Sequence, residues 1–71
     1  MNENENRITN RQEELFQKMI WNIKDLAEFT EISLPTLYRL TSTRQIPMRK
    51  KGGKLYFFPK EILNWIDEGD Y

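Results

Sequence analysis

The spacing of apolar residues predicts a first helix near the N-terminus. Asn10 and Glu13 have the spacing of a capping box, and a helix over roughly 11–19 follows them. Its apolar stripe consists of Leu15, Phe16, Met19 and Ile20. We expect this stripe to pack against the rest of the domain. The alternative is that it pairs with a second copy, although so short a segment does not form a stable coiled coil alone.

A second helix is predicted to start after Asn22, whose side chain can cap the first turn while Asp25 completes a capping box. The helix is expected to end near Thr30. Its buried side consists of Ile23, Leu26 and Ala27. Trp21 lies just before the cap, where a hydrophobic staple belongs, so we expect it in the core rather than stacked on a base.

A third helix is predicted over 33–43, after a short turn at Thr30-Glu31-Ile32. Ser33 is placed to cap it, and Pro35 is tolerated because the first-turn amides of a helix have no helical partner. Its inward-facing residues are Leu37 and Leu40. Two short helices joined by a tight turn form a helix-turn-helix, whose second helix can enter the major groove of DNA.

The next part of the pattern predicts a β-hairpin. Short runs rich in strand-forming residues lie at 46–49 and 55–58. Gly52-Gly53 between them is a strong turn signal, because both positions can adopt positive φ. Leu55 and Phe57 are expected on the core face of the second strand, and Tyr56 and Phe58 on its other face.

A last helix is predicted to open at Pro59 and to stop at Gly69. Its apolar side consists of Ile62, Leu63, Trp65 and Ile66, with Trp65 expected in the core. The complete pattern predicts a mainly α fold with a small β-hairpin. We divide the chain into a disordered arm (1–9), an N-terminal helix (10–20), a domain (21–67) and a frayed tail (68–71).

Composition excludes several classes of protein. Seventy-one residues form one domain with a modest core. Because the chain has no cysteine and no histidine, disulfide frameworks and thiolate or imidazole metal sites are excluded. With only two serines, no catalysis and no cofactor are expected. Apolar runs of four residues or fewer predict no membrane span and no signal peptide, so we expect a cytoplasmic protein.

The net charge of zero conceals a strong asymmetry. Residues 1–32 carry four basic and seven acidic side chains, residues 33–60 carry seven basic and no acidic ones, and residues 61–71 carry four acidic ones. The segment charges of −3, +7 and −4 sum to zero. A concentrated basic segment of this kind favours a nucleic-acid-binding face, the alternative being chance clustering on a solvated surface.

The segment from Trp21 to Ile66 resembles the excisionase-type, MerR-like winged helix-turn-helix DNA-binding domain. The resemblance covers about two-thirds of the chain and is carried by WNIKDLAEF, by Ser-x-x-Thr-Leu-Tyr-Arg-Leu from Ser33, by Ile46-Pro47 and by FFPKEILNWI. The order and spacing of these pieces are specific, although no single one is decisive. Glu31 and Arg44 stand where the family usually has glycine, so each must adopt positive φ or the turn must change.

The basic segment and the resemblance both predict a DNA-binding surface. Arg39 is our choice for a base or phosphate contact, because its guanidinium matches guanine O6/N7 or a phosphate. Tyr38 either donates to a phosphate or is partly buried. The residues expected on the recognition helix are Ser33, Leu34, Pro35, Thr36, Tyr38 and Arg39. Those expected on the turn and wing are Arg44, Arg49, Lys50, Lys51 and Lys54, where the alternative is a solvated hairpin tip.

Three functions remain open. The resemblance implies an excisionase-like recombination directionality factor of a mobile element, which binds repeated sites, bends DNA and assists a tyrosine recombinase. A small winged-helix transcriptional regulator is the second reading. The third is a protein-interaction module that uses the N-terminal helix with Tyr56 or Phe58. The expected partners are therefore double-stranded DNA, a recombinase and neighbouring copies of the same protein, without a membrane.

Overall fold

Residues 10–69 are described by a computed structural model of the protein; the predicted arm 1–9 and Asp70-Tyr71 lie outside this range. The elements in order are α1 (Asn10–Gln17), α2 (Ile23–Thr30), α3 (Leu34–Ser42), β1 (Arg49–Lys51), β2 (Lys54–Tyr56) and α4 (Pro59–Glu68). The two strands pair in an antiparallel hairpin, which gives the winged helix-turn-helix that the sequence predicts. No helix within the described range is long and apolar enough to cross a membrane.

The predicted capping box of α2 is present. The Asp25 backbone N–H donates to Asn22 Oδ1 at 2.8 Å, and the Asn22 backbone N–H donates to Asp25 Oδ2 at 3.1 Å. Lys18 Nζ also contacts Asp25 Oδ2 at 2.8 Å, so the buried carboxylate has both amide and ammonium partners. Capping of this kind stabilises a helix by about 1 kcal/mol and fixes where α2 begins.

Trp21 joins three parts of the chain and is fully buried, as predicted. Its indole N–H donates to the Leu15 carbonyl at 2.7 Å, and its backbone exchanges hydrogen bonds of 2.8 and 2.9 Å with Phe57. The segment before α2 therefore pairs with the residue that follows β2. The core built around this contact consists of Leu15, Trp21, Leu26, Leu37, Ile46, Phe57 and Ile62.

The N-terminal helix is shorter than predicted, and most of its apolar stripe is not buried. Asn10 is helical rather than the residue before the helix, and α1 ends at Gln17. Leu15 is fully buried, but Phe16, Met19 and Ile20 are 44%, 88% and 40% exposed. The reason is that the chain leaves the helix after Gln17 to bring Trp21 beside Phe57, so the helical phase is lost before Met19.

The Arg11 side chain fastens α1 to α2. Its Nε donates to Glu28 Oε2 at 2.9 Å and its Nη2 donates to Glu28 Oε1 at 3.2 Å. Arg11 also contacts Glu14, within α1, at 3.5 Å. The hydrogen bond to Glu28 raises the pKa of the Arg11 guanidinium. These contacts are exposed and worth little individually, so burial of Leu15 is the larger attachment of α1.

The strand boundaries differ from the prediction. The Gly52-Gly53 turn has φ of 60° and 78° and pairs Lys51 with Lys54, so β1 covers Arg49–Lys51 rather than 46–49. Pro47 lacks the N–H that a strand there would need. On the other side, β2 ends at Tyr56 because Phe57 pairs with Trp21.

The C-terminal helix follows the prediction with two corrections. Pro59 is in its first turn and Gly69, with φ of 58°, lies at its end. Glu68 is helical, although we had placed it in the frayed tail. Trp65 is partly buried rather than enclosed, because its indole N–H reaches out to the Gln45 carbonyl at 2.9 Å. This bond ties α4 to the turn that follows α3.

Candidate nucleic-acid interface

The third helix presents one exposed face to solvent. Leu37 and Thr41 are buried, and this fixes the opposite side of α3 as the free one. Pro35, Tyr38, Arg39 and Ser42 are exposed, and their spacing of three and four residues places them on that free face. Tyr38 is 53% exposed, which favours the phosphate-contact reading over the buried one. Ser42, which is not among the predicted contact residues, also lies on this face.

The predicted cap of α3 takes a different form. Ser33 occupies the position before the helix, but its side chain accepts no capping hydrogen bond. Instead, the Ser33 and Thr36 hydroxyl groups are hydrogen-bonded to each other, with Oγ and Oγ1 3.0 Å apart. Leu34 and Thr36 are half-buried, while Ser33 and Pro35 are exposed. The N-terminal turn of α3 thus offers hydroxyl groups and small apolar surfaces side by side.

A cleft of about 770 Å³ separates α3 from the wing. Its α3 side includes Tyr38, Arg39 and Arg44, and its wing side includes Lys50 and Leu55. Lys50 and Leu55 are directly paired across the hairpin, so both side chains point toward α3. The fold therefore brings together four residues that the sequence suggested separately, namely Tyr38, Arg39, Arg44 and Lys50.

The tip of the wing places two like charges opposite each other. Lys51 pairs directly with Lys54 next to the Gly52-Gly53 turn, and both side chains are exposed. Like charges at directly opposed positions destabilise a hairpin. Within residues 10–69, no carboxylate contacts Arg39, Arg44, Lys50, Lys51 or Lys54. These cations lack an internal counter-charge, which is the electrostatic condition for binding an external polyanion.

Arg49 has different surroundings from the other predicted cations. Its guanidinium contacts Glu61 through both nitrogens, at 3.1 and 2.8 Å, and lies 5.3 Å from the centre of the Phe58 ring. The bidentate pair connects β1 to α4 on the side of the wing away from the cleft. Arg49 is still expected on the wing side of a DNA complex, but unlike the other predicted cations it has a carboxylate partner within the described residues.

Glu31 and Arg44, the two departures from glycine, both adopt the left-handed conformation. Their φ values are 62° and 58°. Glu31 ends α2 and donates its backbone N–H to Ala27 at 2.8 Å. Arg44 follows α3, donates its N–H to the Thr41 carbonyl at 3.1 Å and lines the cleft. Both residues therefore accept positive φ, at a conformational cost of about 1 kcal/mol each.

Lys24 is a cation that the sequence did not single out. It lies in the first turn of α2 and lines a second depression of about 410 Å³ beside Asn22, Lys54 and Tyr56. Tyr38, Gly53 and Leu55 line both depressions, so Lys24 extends the same basic surface. Only the packing of α2 beside the wing reveals this, since Lys24 is remote in sequence from the basic segment.

Comparison with known proteins identifies the family. A family model described as a helix-turn-helix domain matches residues 22–70, which is more than half of the chain. This is the excisionase-type family that the sequence resembles. Neither the curated proteins nor the solved structures give a match. From the family match, together with the fold and the basic cleft, the chain belongs to the helix-turn-helix family of DNA-binding domains.

Proposed function

We propose that this protein binds double-stranded DNA in a sequence-specific manner through α3 and the wing, and that it serves as an excisionase-like recombination directionality factor. The observation that carries the DNA-binding part is the cleft itself. There, the exposed face of α3 stands beside cations that lack carboxylate partners within the described residues. Recognition then divides between α3, which meets base edges, and the wing, which meets phosphates.

In this proposal the N-terminal half of α3 lies in the major groove. Leu34, Pro35 and Thr36 give apolar and hydroxyl contacts, including contacts to thymine methyl groups. The hydrogen bond between Ser33 Oγ and Thr36 Oγ1 holds the two hydroxyl groups together at the start of α3. Arg39, on the exposed face one turn further along, reaches a guanine edge or a phosphate with two parallel hydrogen bonds.

The wing supplies affinity rather than sequence choice. Lys50 lies inside the cleft, whereas Lys51 and Lys54 stand together at the tip. A phosphate placed near the tip relieves the repulsion between these two ammonium groups, so binding is favoured by more than the attraction of either charge alone. Arg44 adds a cation at the end of α3, on the same cleft.

The salt dependence of affinity tests the DNA-binding proposal. Five cations, namely Arg39, Arg44, Lys50, Lys51 and Lys54, should release condensed counterions, each contributing about −0.9 to the slope of log K against log salt concentration. We expect a slope near −4 to −5, measured by fluorescence anisotropy with a labelled duplex. A slope close to zero would contradict the proposal.

Truncation of Arg39 tests its role in reading sequence. Arg39→Ala should weaken binding by about 1–3 kcal/mol at a preferred site and much less on unrelated DNA. The matched control is Arg11→Ala, which removes an exposed arginine from α1 that is paired with Glu28. Equal losses on every duplex would make Arg39 a phosphate contact, and no loss on any duplex would remove it from the interface.

The excisionase-like role is supported by the family match, and it has its own test. Footprinting on candidate attachment-site DNA, combined with an excision assay that supplies a tyrosine recombinase, should show protected repeats, bent DNA and stimulated excision. Protection of a promoter without any effect on excision would favour a transcriptional regulator with the same fold. This outcome would leave the DNA-binding surface unchanged.

A further inference from the structure

The C-terminal helix has an apolar face that no described residue covers. Leu63 and Ile66 are 36% and 46% exposed. They are three residues apart, so they are neighbours on the surface of α4. Pro59, four residues before Leu63, lies next to them but is itself buried. Arg49 contacts Glu61, which lies on a different side of the helix. The stripe is therefore separate from the junction between α4 and the wing.

A groove continues this apolar stripe at the beginning of α4. The groove has a volume of about 440 Å³. Its apolar lining consists of Phe16, Met19, Phe58 and Pro59, and its polar lining of Gln17, Lys18 and Lys60. Lys18 is already paired with Asp25. Met19 is 88% exposed, the most exposed of the large apolar side chains in the described range. Pro59 lines the groove and lies one turn before Leu63, so the groove adjoins the exposed residues of α4. Clustered exposed apolar side chains of this kind are a candidate interaction site.

The charges beside this surface identify its occupant. Lys60 and Asp67 are seven residues apart, so they lie on the same side of α4 about two turns from each other. Within residues 10–69, neither has an ion-pair partner. Leu63 lies between them. A second α4 placed antiparallel to the first therefore sets Lys60 of each copy against Asp67 of the other.

We propose that this face binds a second copy of the same chain, with the two α4 helices antiparallel about a two-fold axis near Leu63. In this arrangement both ion pairs form, and Ile66 of each copy enters the groove between Met19 and Pro59 of the other. Such an interface is isologous, because each copy contributes the same surface. It shares no residue with the α3–wing cleft, so it is independent of the proposed DNA contacts.

The contact is small, and this sets the conditions for its test. Specific interfaces bury about 1,200–2,000 Å² in total. An interface made by one helix and one groove of each copy should bury an area at the low end of this range. We expect a weak dimer in free solution. Sedimentation equilibrium without DNA, in a protein concentration series reaching roughly 1 mM, covers the range in which a weak dimer forms. Omitting DNA keeps this result separate from that of the binding experiments.

Charge reversal gives the decisive comparison. Lys60→Glu alone and Asp67→Lys alone each place like charges together twice in the dimer, so association should fall by at least about tenfold. The double variant K60E/D67K restores both pairs and should associate like the original protein. An equal mixture of the two single variants should form a mixed dimer, because each supplies the charge that the other needs.

Two controls make the outcome unambiguous. Glu68→Lys makes the same charge change one residue from Asp67 but on the side of α4 that faces Pro47, and it should leave association unchanged. Lys60→Glu places a negative charge near the N-terminus of α4, and Asp67→Lys places a positive charge near its C-terminus. Both changes are favourable for the helix dipole, so circular dichroism should show folded variants. A monomer at every concentration overturns the proposal. The proposal is also overturned if the single variants associate as well as the original protein, or if the double variant does not restore association.

Discussion

At the scale of single residues, Arg44 combines a conformational cost with a position on the candidate interface. Residues other than glycine and asparagine adopt a φ of 58°, as Arg44 does, only at a conformational cost. The Arg44 side chain nevertheless lines the cleft with Arg39 and Lys50. Glu31 has almost the same φ but lies on a different turn, at the end of α2. Substitutions at Arg44 and at Glu31 can therefore separate the conformational cost of positive φ from the contribution of the Arg44 side chain to DNA binding.

Arg44→Gly should make the protein more stable and its DNA complex weaker. Relief of the left-handed conformation should stabilise the fold by about 1 kcal/mol, seen as a rise in Tm of about 4–8 °C. Loss of one phosphate contact should flatten the salt slope by about 0.9. Thermal unfolding and anisotropy titrations measure the two effects.

Glu31→Gly is the matched control for this experiment. It should raise Tm by a similar amount without weakening DNA binding, because it removes strain and no cation. Arg44→Lys should keep both the strain and most of the affinity. If Arg44→Gly binds DNA as well as the original protein, Arg44 has no part in the interface.

The sequence carried residue-level information unevenly. Positive φ at Glu31 and Arg44 is one of the two outcomes implied by the resemblance, which places both residues where glycine is usual; the other was a changed turn. The pairing of Arg49 with Glu61 could not be expected, since it depends on how the wing and α4 are oriented. In sequence, Arg49 and Lys50 are equivalent members of one basic run, but β alternation sends them to opposite faces of the hairpin.

At the scale of elements, the wing is a hairpin whose most exposed pair opposes its own formation. Lys51 and Lys54 are directly opposite beside a turn built from two glycines. The turn geometry stabilises the hairpin while the charges weaken it. A bound anion would reduce the repulsion between these two lysines. A substitution that removes one of the charges should therefore stabilise the free hairpin and weaken its affinity for DNA.

Lys51→Glu is expected to show this opposition. In the free protein, a cross-strand Glu–Lys pair replaces a Lys–Lys pair and should stabilise the fold by about 0.2–1 kcal/mol. On DNA, a carboxylate near phosphate should reduce affinity by more than tenfold. Lys51→Gln removes the charge without reversing it. Its stability and its DNA affinity should both lie between those of the original protein and those of Lys51→Glu. A variant that gains stability and keeps its affinity would show that the wing tip does not touch DNA.

Local signals predicted the helices and the turn well, because caps and glycine turns act over a few residues. The Asn22–Asp25 capping box and Gly52-Gly53 are both present as expected. The strand boundaries were harder to predict from the sequence, because they depend on the bridge between Trp21 and Phe57, which are far apart in sequence. The same bridge explains why the apolar stripe of the first helix was misjudged.

At the scale of the whole molecule, α1 is part of the structural domain even though the family match begins at residue 22. Leu15 is fully buried, and its carbonyl accepts the hydrogen bond of the Trp21 indole. The core of so small a protein has few members, so each contributes a large share of the stability. Our separation of residues 10–20 from the domain understates this connection.

Leu15→Ala should therefore destabilise the protein severely. Truncation of a fully buried leucine costs about 2–5 kcal/mol, a large fraction of the free energy of unfolding of a small domain. Urea denaturation followed by circular dichroism measures the loss. Glu13→Ala, an exposed change in the same helix, should cost no more than about 0.5 kcal/mol. A small loss for Leu15→Ala would show that α1 is an appendage.

The two tryptophans give the protein a pair of built-in optical probes. Trp21 is fully buried in the core, while Trp65 is partly buried with its indole N–H on Gln45, the residue after Arg44. An aqueous quencher such as iodide reaches Trp65 and not Trp21 in the folded protein. Emission from Trp21 therefore reports unfolding, whereas quenching of Trp65 reports changes beside the turn that contains Arg44. One unlabelled sample can thus distinguish a variant that has lost its fold from one that has lost its ligand.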